Sequence, residues 1–418
     1  MSPFDTAESA AALGTPPLAR ALPALPGIPR AMRGMLAHLL GRVQCGSLVL
    51  ELPGGQRLEA RGEHPGAHAS LRLHGWRPLM RLMLQGDLGL AESYRDGDWS
   101  TPDLTAVLLF GIQNEAHWGR TLEGKGPAAW WARLFHRLRA NSRSGSRQNI
   151  AFHYDLGNDF YAQWLDVTML YSSALYDTGQ ETLEQAQALR LQRILDLVNA
   201  PPGAQVLEIG CGWGEVAASL AGRHGAQVTG LTLSREQLAH AQERVAGRGL
   251  QSRVDLRLQD YRDVTGRYDR IVSIEMIEAV GEAYWPAYFN TLRERLAPGG
   301  HAVLQAITIH EDYFDRYRSS ADFIQRHIFP GGMLPSVRAM REQAEGAGLA
   351  LETHLSFGDS YARTLVDWRQ RFQAAWPTIA KQGFDERFRR LWEYYLCYCE
   401  AGFRSGRIDV GLYTLRPV

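Results

Sequence analysis

The stretch Val206-Leu-Glu-Ile-Gly210-Cys-Gly212-Trp-Gly214 decides the fold. A short apolar run, typical of a buried strand, leads into three alternate glycines, and a helical pattern follows over residues 215–224. Glycines at such a turn let the backbone bend sharply and approach a bound ligand closely. The stretch therefore predicts a strand, a ligand-binding turn and a helix, which is the first half of a βαβ unit.

The same alternation of strands and helices continues on both sides of this stretch. Thr182-Leu-Glu-Gln185 is a capping-box pattern, which predicts a helix that ends before Pro201. This rhythm predicts an α/β fold with an open, mostly parallel, doubly wound sheet. The period-two pattern of residues 408–414 predicts an antiparallel strand at the edge of that sheet. The remaining predicted elements are strands 205–209, 227–231, 254–258, 270–274 and 301–307, and helices 215–224, 235–248 and 284–296.

The glycine spacing indicates which cofactor the turn holds. G-x-G-x-G differs from the G-x-G-x-x-G of dinucleotide-binding loops. It resembles the loop of class I S-adenosylmethionine (SAM) methyltransferases, so the sequence favours SAM over a dinucleotide. In that class the acid ahead of the first glycine, Glu208 in this chain, helps to bind the methionine end of SAM or orients the loop. Asp260 and Tyr261 follow the strand 254–258, where the class places an acid on the adenine amine.

One acid that such loops usually have is missing. An acid for the ribose hydroxyls normally ends the second strand, about 20 residues further on. The chain has Leu231-Thr232-Leu-Ser234 there, with Gln237 in the next helix. From the residues alone, Gln237 either replaces that acid by hydrogen-bonding the ribose or is an ordinary surface glutamine.

Composition excludes several classes of protein. The 418 residues carry 45 Lys+Arg and 45 Asp+Glu, and zero net charge argues against nucleic acid as the main partner. No apolar run approaches the roughly 18 residues of a membrane span. The first 30 residues lack the pattern of a secretory signal, and the four cysteines lack metal or disulfide spacing. We expect a cytoplasmic protein without a metal site.

The chain divides into four regions by pattern. Residues 1–28 are rich in Ala and Pro and are expected to be a disordered tail. Residues 29–122 read as a small α+β domain, with a hairpin at 46–60, a strand at 70–74 and helices at 77–85 and 101–114. Residues 123–150 form a basic linker, and 151–418 the catalytic domain.

The basic linker has two interpretations. Between Glu123 and Asp155 there are six cationic side chains and no acid, interleaved with Trp130, Trp131 and other apolar residues at helical spacing. Such a segment suits the surface of an anionic membrane. It is equally consistent with a helix whose Trp face docks on a neighbouring domain.

Many motifs in one order identify a family. The chain resembles cyclopropane-fatty-acyl-phospholipid synthases and the related cyclopropane mycolic acid synthases, densely over about 150–418 and also at Gly86–Gly97 in the small domain. The motifs are His153-Tyr-Asp155-Leu-Gly-Asn158, Leu170-Tyr171-Ser172, Leu207–Gly214, Leu231–Ser234, Gln259-Asp-Tyr-Arg262, Phe329-Pro330, Leu334-Pro-Ser336 and Glu400-Ala-Gly-Phe403.

The resemblance implies a reaction and its residues. In that family the π electrons of a cis double bond in a phospholipid acyl chain attack the SAM methyl group, and loss of a proton closes a cyclopropane ring. It implies peripheral association with the inner face of the membrane, and because the family commonly dimerises it leaves a homodimer open. The implied cofactor-binding residues are Tyr171, Ser172, Glu208, Gly210, Gly212, Gly214, Leu231, Thr232, Gln237, Asp260, Tyr261 and Ile274.

The residues implied for catalysis depart from the family in an informative way. The family's base is understood to be a bound bicarbonate, and the chain keeps three residues of its shell, Glu278, Tyr361 and Cys399. Other shell positions differ: Ser173 replaces a Cys, Gln305 replaces a His, Ala279 replaces another His, and Glu275 stands where a Gly is usual. These departures argue against a bound bicarbonate. We infer that the Glu275 carboxylate takes its place.

Alternatives remain open at this stage. Relatives with a Glu at this place are associated with hydroxylated methyl branches, and loss of a different proton leaves a methyl, methylene or furan-precursor chain. Two alternative functions belong to other classes: methylation of polar small molecules, and lipid binding without catalytic activity. On its own, Cys399 also fits a plain core position, because it lies on the apolar face of its helix.

Overall fold

The computed structural model describes residues 28–119, 156–319 and 322–418. The chain divides between Gly124 and Lys125 into two compact units, and each is described by itself. The predicted tail, all but residue 28, and the predicted basic linker 123–150 lie outside the described residues, as do His153 and Asp155. The four-region division therefore stays a prediction.

The first unit contains the predicted hairpin. Strands β1 and β2 pair antiparallel, β1 pairs parallel with β3, and the sheet order is β2-β1-β3-β4. Buried Asn114 joins the last helix to β1, because its amide accepts from the backbone of Gln44 and Cys45 and donates to the Cys45 carbonyl. The elements are α1 Arg30–Leu40, β1 Cys45–Glu51, β2 Arg57–Arg61, β3 His64–Leu73, α2 Arg77–Gln85, α3 Asp87–Arg95, β4 Trp99–Ser100 and α4 Leu104–Trp118.

The second unit follows the predicted βαβ rhythm. Its first long helix starts with the capping box that the sequence predicts, in which Thr182 and Gln185 each bond the other's backbone amide. Its elements are α5 Asn158–Ala162, α6 Leu183–Val198, β5 Gln205–Ile209, α7 Glu215–His224, β6 Gln227–Thr232, α8 Arg235–Gly247, β7 Val254–Leu258, β8 Tyr268–Ile274, α9 Trp285–Arg295, β9 Leu296–Ile309, α10 Glu311–Ser319, α11 Phe323–His327, α12 Val337–Gly346, β10 Leu349–Ser356, α13 Gly358–Ile379, α14 Glu386–Arg404 and β11 Ile408–Pro417.

The sheet of this unit is doubly wound, in the order β10-β11-β9-β8-β5-β6-β7. The strands from β9 to β7 are parallel, and β11 is antiparallel to both of its neighbours. The α/β, class I methyltransferase-like fold is thus confirmed. The prediction that residues 408–414 form an edge strand is wrong, because β11 lies between β9 and β10. Its middle residues are buried on both faces, and the true edge is the largely exposed β10, which the sequence analysis missed.

The core of the second unit lies between the sheet and its covering helices. Leu207, Ile271 and Leu304 from three parallel strands are almost fully buried, together with Tyr288 and Phe289 of α9. Within the described ranges, no helix combines the length and apolarity that crossing a membrane requires.

Candidate active site

The glycine turn and Glu275 lie on either side of the point where the strand order reverses. From β5 the chain continues to β6 on one side, while β8 pairs with β5 on the other. Gly210 directly follows β5, and Glu275 directly follows β8. Ligands of open parallel sheets bind at the carboxyl ends of the strands at such a reversal. The two decisive sequence features therefore meet at one crevice.

The glycines fit a ligand-binding turn. Gly210, Gly212 and Gly214 have φ angles of +83°, +50° and +84°, which glycine adopts without the Cβ penalty of other residues. A Cβ on Gly210 would lie 2.9 Å from Cγ of Met276, and one on Gly214 would lie 2.8 Å from Cβ of Ala241. A Cβ on Gly212 would meet nothing within 4 Å. The turn is thus tightly packed at two glycines and leaves open space beside the third.

The residues around the turn suit the methionine end of SAM. The Leu231 carbonyl holds the turn, because it accepts from the amides of Gly210 at 3.0 Å and Cys211 at 2.8 Å. Burial raises the pKa of Glu208 to about 8, although a hydrogen bond from the Ala217 amide opposes the shift. Oε2 of Glu208 is buried and has no hydrogen-bond partner among the described residues. A buried carboxyl oxygen without a partner, beside an open glycine turn, fits a polar group of the cofactor.

Gln237 is buried and is therefore not an ordinary surface glutamine. The side chain is buried, and its Oε1 accepts from Oγ1 of Thr232 at 2.9 Å. Thr232 also accepts from the Ser234 amide, and Ser234 caps the helix that carries Gln237. These bonds fix the amide oxygen of Gln237, and the contact of its NH₂ group with a ribose hydroxyl stays a prediction.

Asp260 and Tyr261 follow the edge strand β7, whereas Ile274 ends β8, and β5 and β6 lie between these two strands in the sheet. Both oxygens of the Asp260 carboxylate are engaged by Arg262, at 2.9 Å from Nε and 2.6 Å from Nη2. Asp260 is thus fixed at the position predicted for an adenine contact, with Arg262 as its partner. Tyr261 is buried edge-on against Tyr288. Ile274 is half-buried and ends β8.

The carboxylate of Glu275 is where the donors of the site converge. Oε1 accepts from Oγ of Ser172 at 2.7 Å, from the Ser173 amide at 3.2 Å and from Nε2 of Gln305 at 2.7 Å. Oε2 accepts from the Tyr361 hydroxyl at 2.7 Å. The four donors come from three separate parts of the chain: the segment before α6, strand β9 and helix α13. The four donors enclose the carboxylate of Glu275, a compact anion with paired oxygens.

Ser173 and Cys399, of the predicted shell, and Tyr171, of the predicted cofactor-binding residues, differ in their bonding partners. Ser173 contributes its backbone amide, while its hydroxyl donates to the Ala174 carbonyl at 2.8 Å. Cys399 is half-buried, burial raises the pKa of its thiol, and in the described part of the chain no hydrogen bond joins it to Glu275. The hydroxyl of Tyr171 pairs with that of Tyr395 at 2.6 Å, next to this shell.

Glu278 is a buried carboxyl group whose surroundings favour its protonated form. Burial, and then repulsion from Glu275, raise the pKa of Glu278 to about 8. Oε1 accepts from the Ile307 amide at 2.5 Å, and the buried Oε2 has no partner among the described residues. A protonated carboxyl with one free oxygen is suited to donate a hydrogen bond, whereas Glu275 accepts on both oxygens.

We expect Glu278→Gln to change the pH dependence of stability. Between pH about 4.5 and about 8 the unfolded chain releases the Glu278 proton while the folded protein keeps it, so rising pH destabilises the native protein through this residue. Glutamine has no such proton. The difference in the free energy of unfolding, variant minus native protein, should therefore be about 2–4 kcal/mol more positive at pH 8 than at pH 5. Urea unfolding at both pH values measures this. An unchanged difference would mean that Glu278 is ionised in the fold.

Two residues of the site, Arg190 and Gln187, were not predicted from the sequence. Arg190, on α6, is fully buried and donates to Gln187 and Gln305. The spacing of Gln187 and Arg190 puts them on one helix face, but nothing in the sequence distinguishes an arginine that turns inward from one on the surface.

In the described ranges no cluster of three or more His, Cys, Asp or Glu side chains is suited to a metal ion.

The fold and the site define a class I SAM-dependent methyltransferase, an enzyme with SAM as its cofactor. The chain matches the family described as mycolic acid cyclopropane synthetase over residues 141–412. It is 43% identical over 350 residues to the tuberculostearic acid methyltransferase UfaA1 of Mycobacterium tuberculosis, with 80% of each chain covered. It is 38% identical over 352 residues to the cyclopropane-fatty-acyl-phospholipid synthase of Escherichia coli, covering 82% of this chain and 87% of that one.

A solved structure agrees with these relatives. The mycolic acid cyclopropane synthase CmaA1, crystallised with SAH and CTAB, superposes with a TM-score of 0.61 at 31% identity, covering 64% of this chain and 97% of that one. The chain belongs to the mycolic acid cyclopropane synthetase family, as its motifs predict.

Proposed function

We propose that the enzyme methylates cis double bonds in the acyl chains of membrane phospholipids and that Glu275 is the base that accepts the released proton. The observation that carries this proposal is the convergence of four donors on the Glu275 carboxylate. The names of two relatives, a cyclopropane-fatty-acyl-phospholipid synthase and a tuberculostearic acid methyltransferase, support the substrate class.

The hydrogen bonds indicate which oxygen of Glu275 takes the proton. An ionised carboxylate has about four lone-pair sites on its two oxygens. Three donors occupy Oε1, whereas Tyr361 is the donor on Oε2. The free lone pair is therefore on Oε2, and a C–H group of the substrate would approach there.

The rings around Tyr361 suit a positively charged hydrocarbon. The ring of Tyr361 stacks on Phe403 with centroids 4.5 Å apart, and its edge meets Trp368 at 6.1 Å. Tyr171 also packs on Trp368, at 5.2 Å. Aromatic faces attract a cation and exclude water. Such surroundings favour proton loss from the cation over capture by water.

The proposed reaction needs SAM as the methyl donor and Glu275 as the base. Bound SAM would supply an electrophilic methyl group: the π electrons of the double bond form the new C–C bond while the bond between sulfur and the methyl carbon breaks, and its electron pair stays on sulfur, so that S-adenosylhomocysteine is the leaving group. One chain carbon is left electron-deficient. Oε2 of Glu275 accepts a proton from the new methyl group, and the electrons of the broken C–H bond close the cyclopropane ring. The proton later passes to solvent.

A second product class follows from the same site. If a hydride shifts along the chain before the new methyl group loses a proton, a methylene chain results, and if the proton comes from a neighbouring chain carbon, the product is a methyl-branched chain that keeps a double bond. The 43% identity to a relative named as a tuberculostearic acid methyltransferase favours this alternative. Both classes need one base, so the role of Glu275 is common to them.

The test uses purified enzyme, SAM with a labelled methyl group and vesicles of phospholipid. We expect label in the acyl chains of cis-monounsaturated vesicles and none in saturated vesicles. Mass spectrometry and NMR of the acyl methyl esters separate ring from branch. Vesicles with anionic and with neutral headgroups, compared by sedimentation, test the peripheral membrane association. Label in a polar amine but not in lipid would contradict the proposal, as would SAM binding without turnover on every unsaturated lipid.

A further inference from the structure

Arg190 is a buried cation that the reaction described above does not use. It is fully buried on α6, and its hydrogen-bond acceptors are neutral amides. Nε and Nη2 donate to Oε1 of Gln187 at 3.2 and 3.0 Å, and Nη1 donates to Oε1 of Gln305 at 3.4 Å. Burying a guanidinium is costly unless something compensates its charge. Its place beside the base therefore needs a reason.

The guanidinium determines which way both amides face. Arginine only donates hydrogen bonds, so each glutamine must turn its oxygen toward Arg190. The NH₂ group of Gln305 then points to Glu275 at 2.7 Å and to Oγ of Ser172 at 2.8 Å. If Gln305 flipped, its oxygen would face the oxygen of Glu275, and two acceptors would repel each other.

The second amide reaches the base by a different route. The NH₂ group of Gln187 donates to the carbonyls of Leu170 at 3.2 Å and Ser172 at 2.9 Å. Ser172 in turn donates its hydroxyl to Oε1 of Glu275. Both routes from Arg190 thus end on the same oxygen of the base, which leaves Oε2 free for the substrate.

The charges around Arg190 agree with this arrangement. Burial lowers the pKa of Arg190, and attraction to Glu275 is the largest effect that opposes the shift, followed by Asp166, Tyr361 and Glu208. One amide group, that of Gln305, separates the guanidinium from the Glu275 carboxylate. The cation is thus compensated by the residue it helps to position.

We propose that Arg190 is a positioning residue for the base: it fixes the orientation of the Gln305 and Gln187 amides, and through them the carboxylate of Glu275. This inference rests on the proposed role of Glu275. It assigns Arg190 no contact with substrate or cofactor.

A double-mutant cycle tests the proposal in the full-length enzyme with labelled SAM and cis-monounsaturated vesicles. Arg190→Met should lower kcat about 10–100-fold, because a displaced base loses alignment with the C–H bond. In the Glu275→Gln background the same substitution should lower kcat less than about threefold, because the base is already absent. Arg193→Met, an exposed arginine on the same helix, is the matched control and should leave kcat unchanged.

Arg190→Lys decides the case if the methionine variant does not fold. Lysine keeps the charge, but a single ammonium group does not reproduce the planar fork that holds both amides. We expect an intermediate loss of kcat, about 5–10-fold, again confined to the Glu275 background. Equal losses in both backgrounds would overturn the inference and leave the proposed function intact. Full activity of Glu275→Gln alone would overturn the proposed function instead.

Discussion

Glu275→Gln is expected to lower kcat by about 10²–10⁴-fold, the usual contribution of general-base catalysis. Glutamine fits the same space: its oxygen can accept the three donors on Oε1, and its NH₂ group can donate to the Tyr361 oxygen. The lone pair on Oε2 is then lost while the shape and most of the hydrogen bonds remain. The affinity for SAM should stay within about threefold, since the hydrogen bonds of the Glu275 carboxylate in the described part of the chain go to Ser172, Ser173, Gln305 and Tyr361 and not to the glycine turn. Steady-state kinetics with labelled SAM, and calorimetric titration with SAM, measure both quantities.

The matched control is Glu282→Gln, in the same region of the chain. Glu282 is exposed and pairs with Arg318, and an exposed ion pair contributes little to stability. This variant should behave as the native enzyme. If Glu275→Gln keeps native kcat, another group accepts the proton, and the convergence of donors on Glu275 is only structural.

The parts of the fold that the sequence predicts well are those with a strong local signal. The strand over 205–209 and the helix over 215–224 agree residue for residue with the structure, because glycines end one and start the other. The edge assignment of β11 failed because period two does not distinguish a one-sided edge strand from an inner strand. The sequence analysis did not assign β10, although Leu349, Leu351 and Leu355 follow the period-two pattern of a strand with one exposed face.

Within the candidate site, the resemblance to the family pointed to Ser172 and Tyr361 as retained residues and to three further residues as departures. Glu275, Gln305 and Ser173 stood out as replacements, and all three meet in one hydrogen-bond network. Ser173 differs from the prediction, because its backbone amide and not its side chain donates to Glu275. Arg190 and Gln187 had no such signal, because their role depends on which face of α6 packs against the sheet.

The backbone of Glu275 explains why its replacement by glycine is a sharp test. Its φ angle is +48°, a left-handed conformation that costs a residue with a Cβ about 1–2 kcal/mol. Glycine adopts this conformation freely, so Glu275→Gly should keep the backbone in place. It also leaves four donors around a space of the size of a carboxylate. A small oxyanion can bind there.

We therefore expect Glu275→Gly to lose kcat about as severely as Glu275→Gln, by about 10²–10⁴-fold, and to regain activity with added anions. Bicarbonate should restore at least about tenfold, formate less because it is a weaker base, and chloride at equal ionic strength nothing. Glu275→Gln is the matched control, since its side chain fills the space and should prevent rescue. Rescue of both variants to the same degree would mean that the anion acts elsewhere, and no rescue of the glycine variant would mean that the donors do not form an anion site without the side chain.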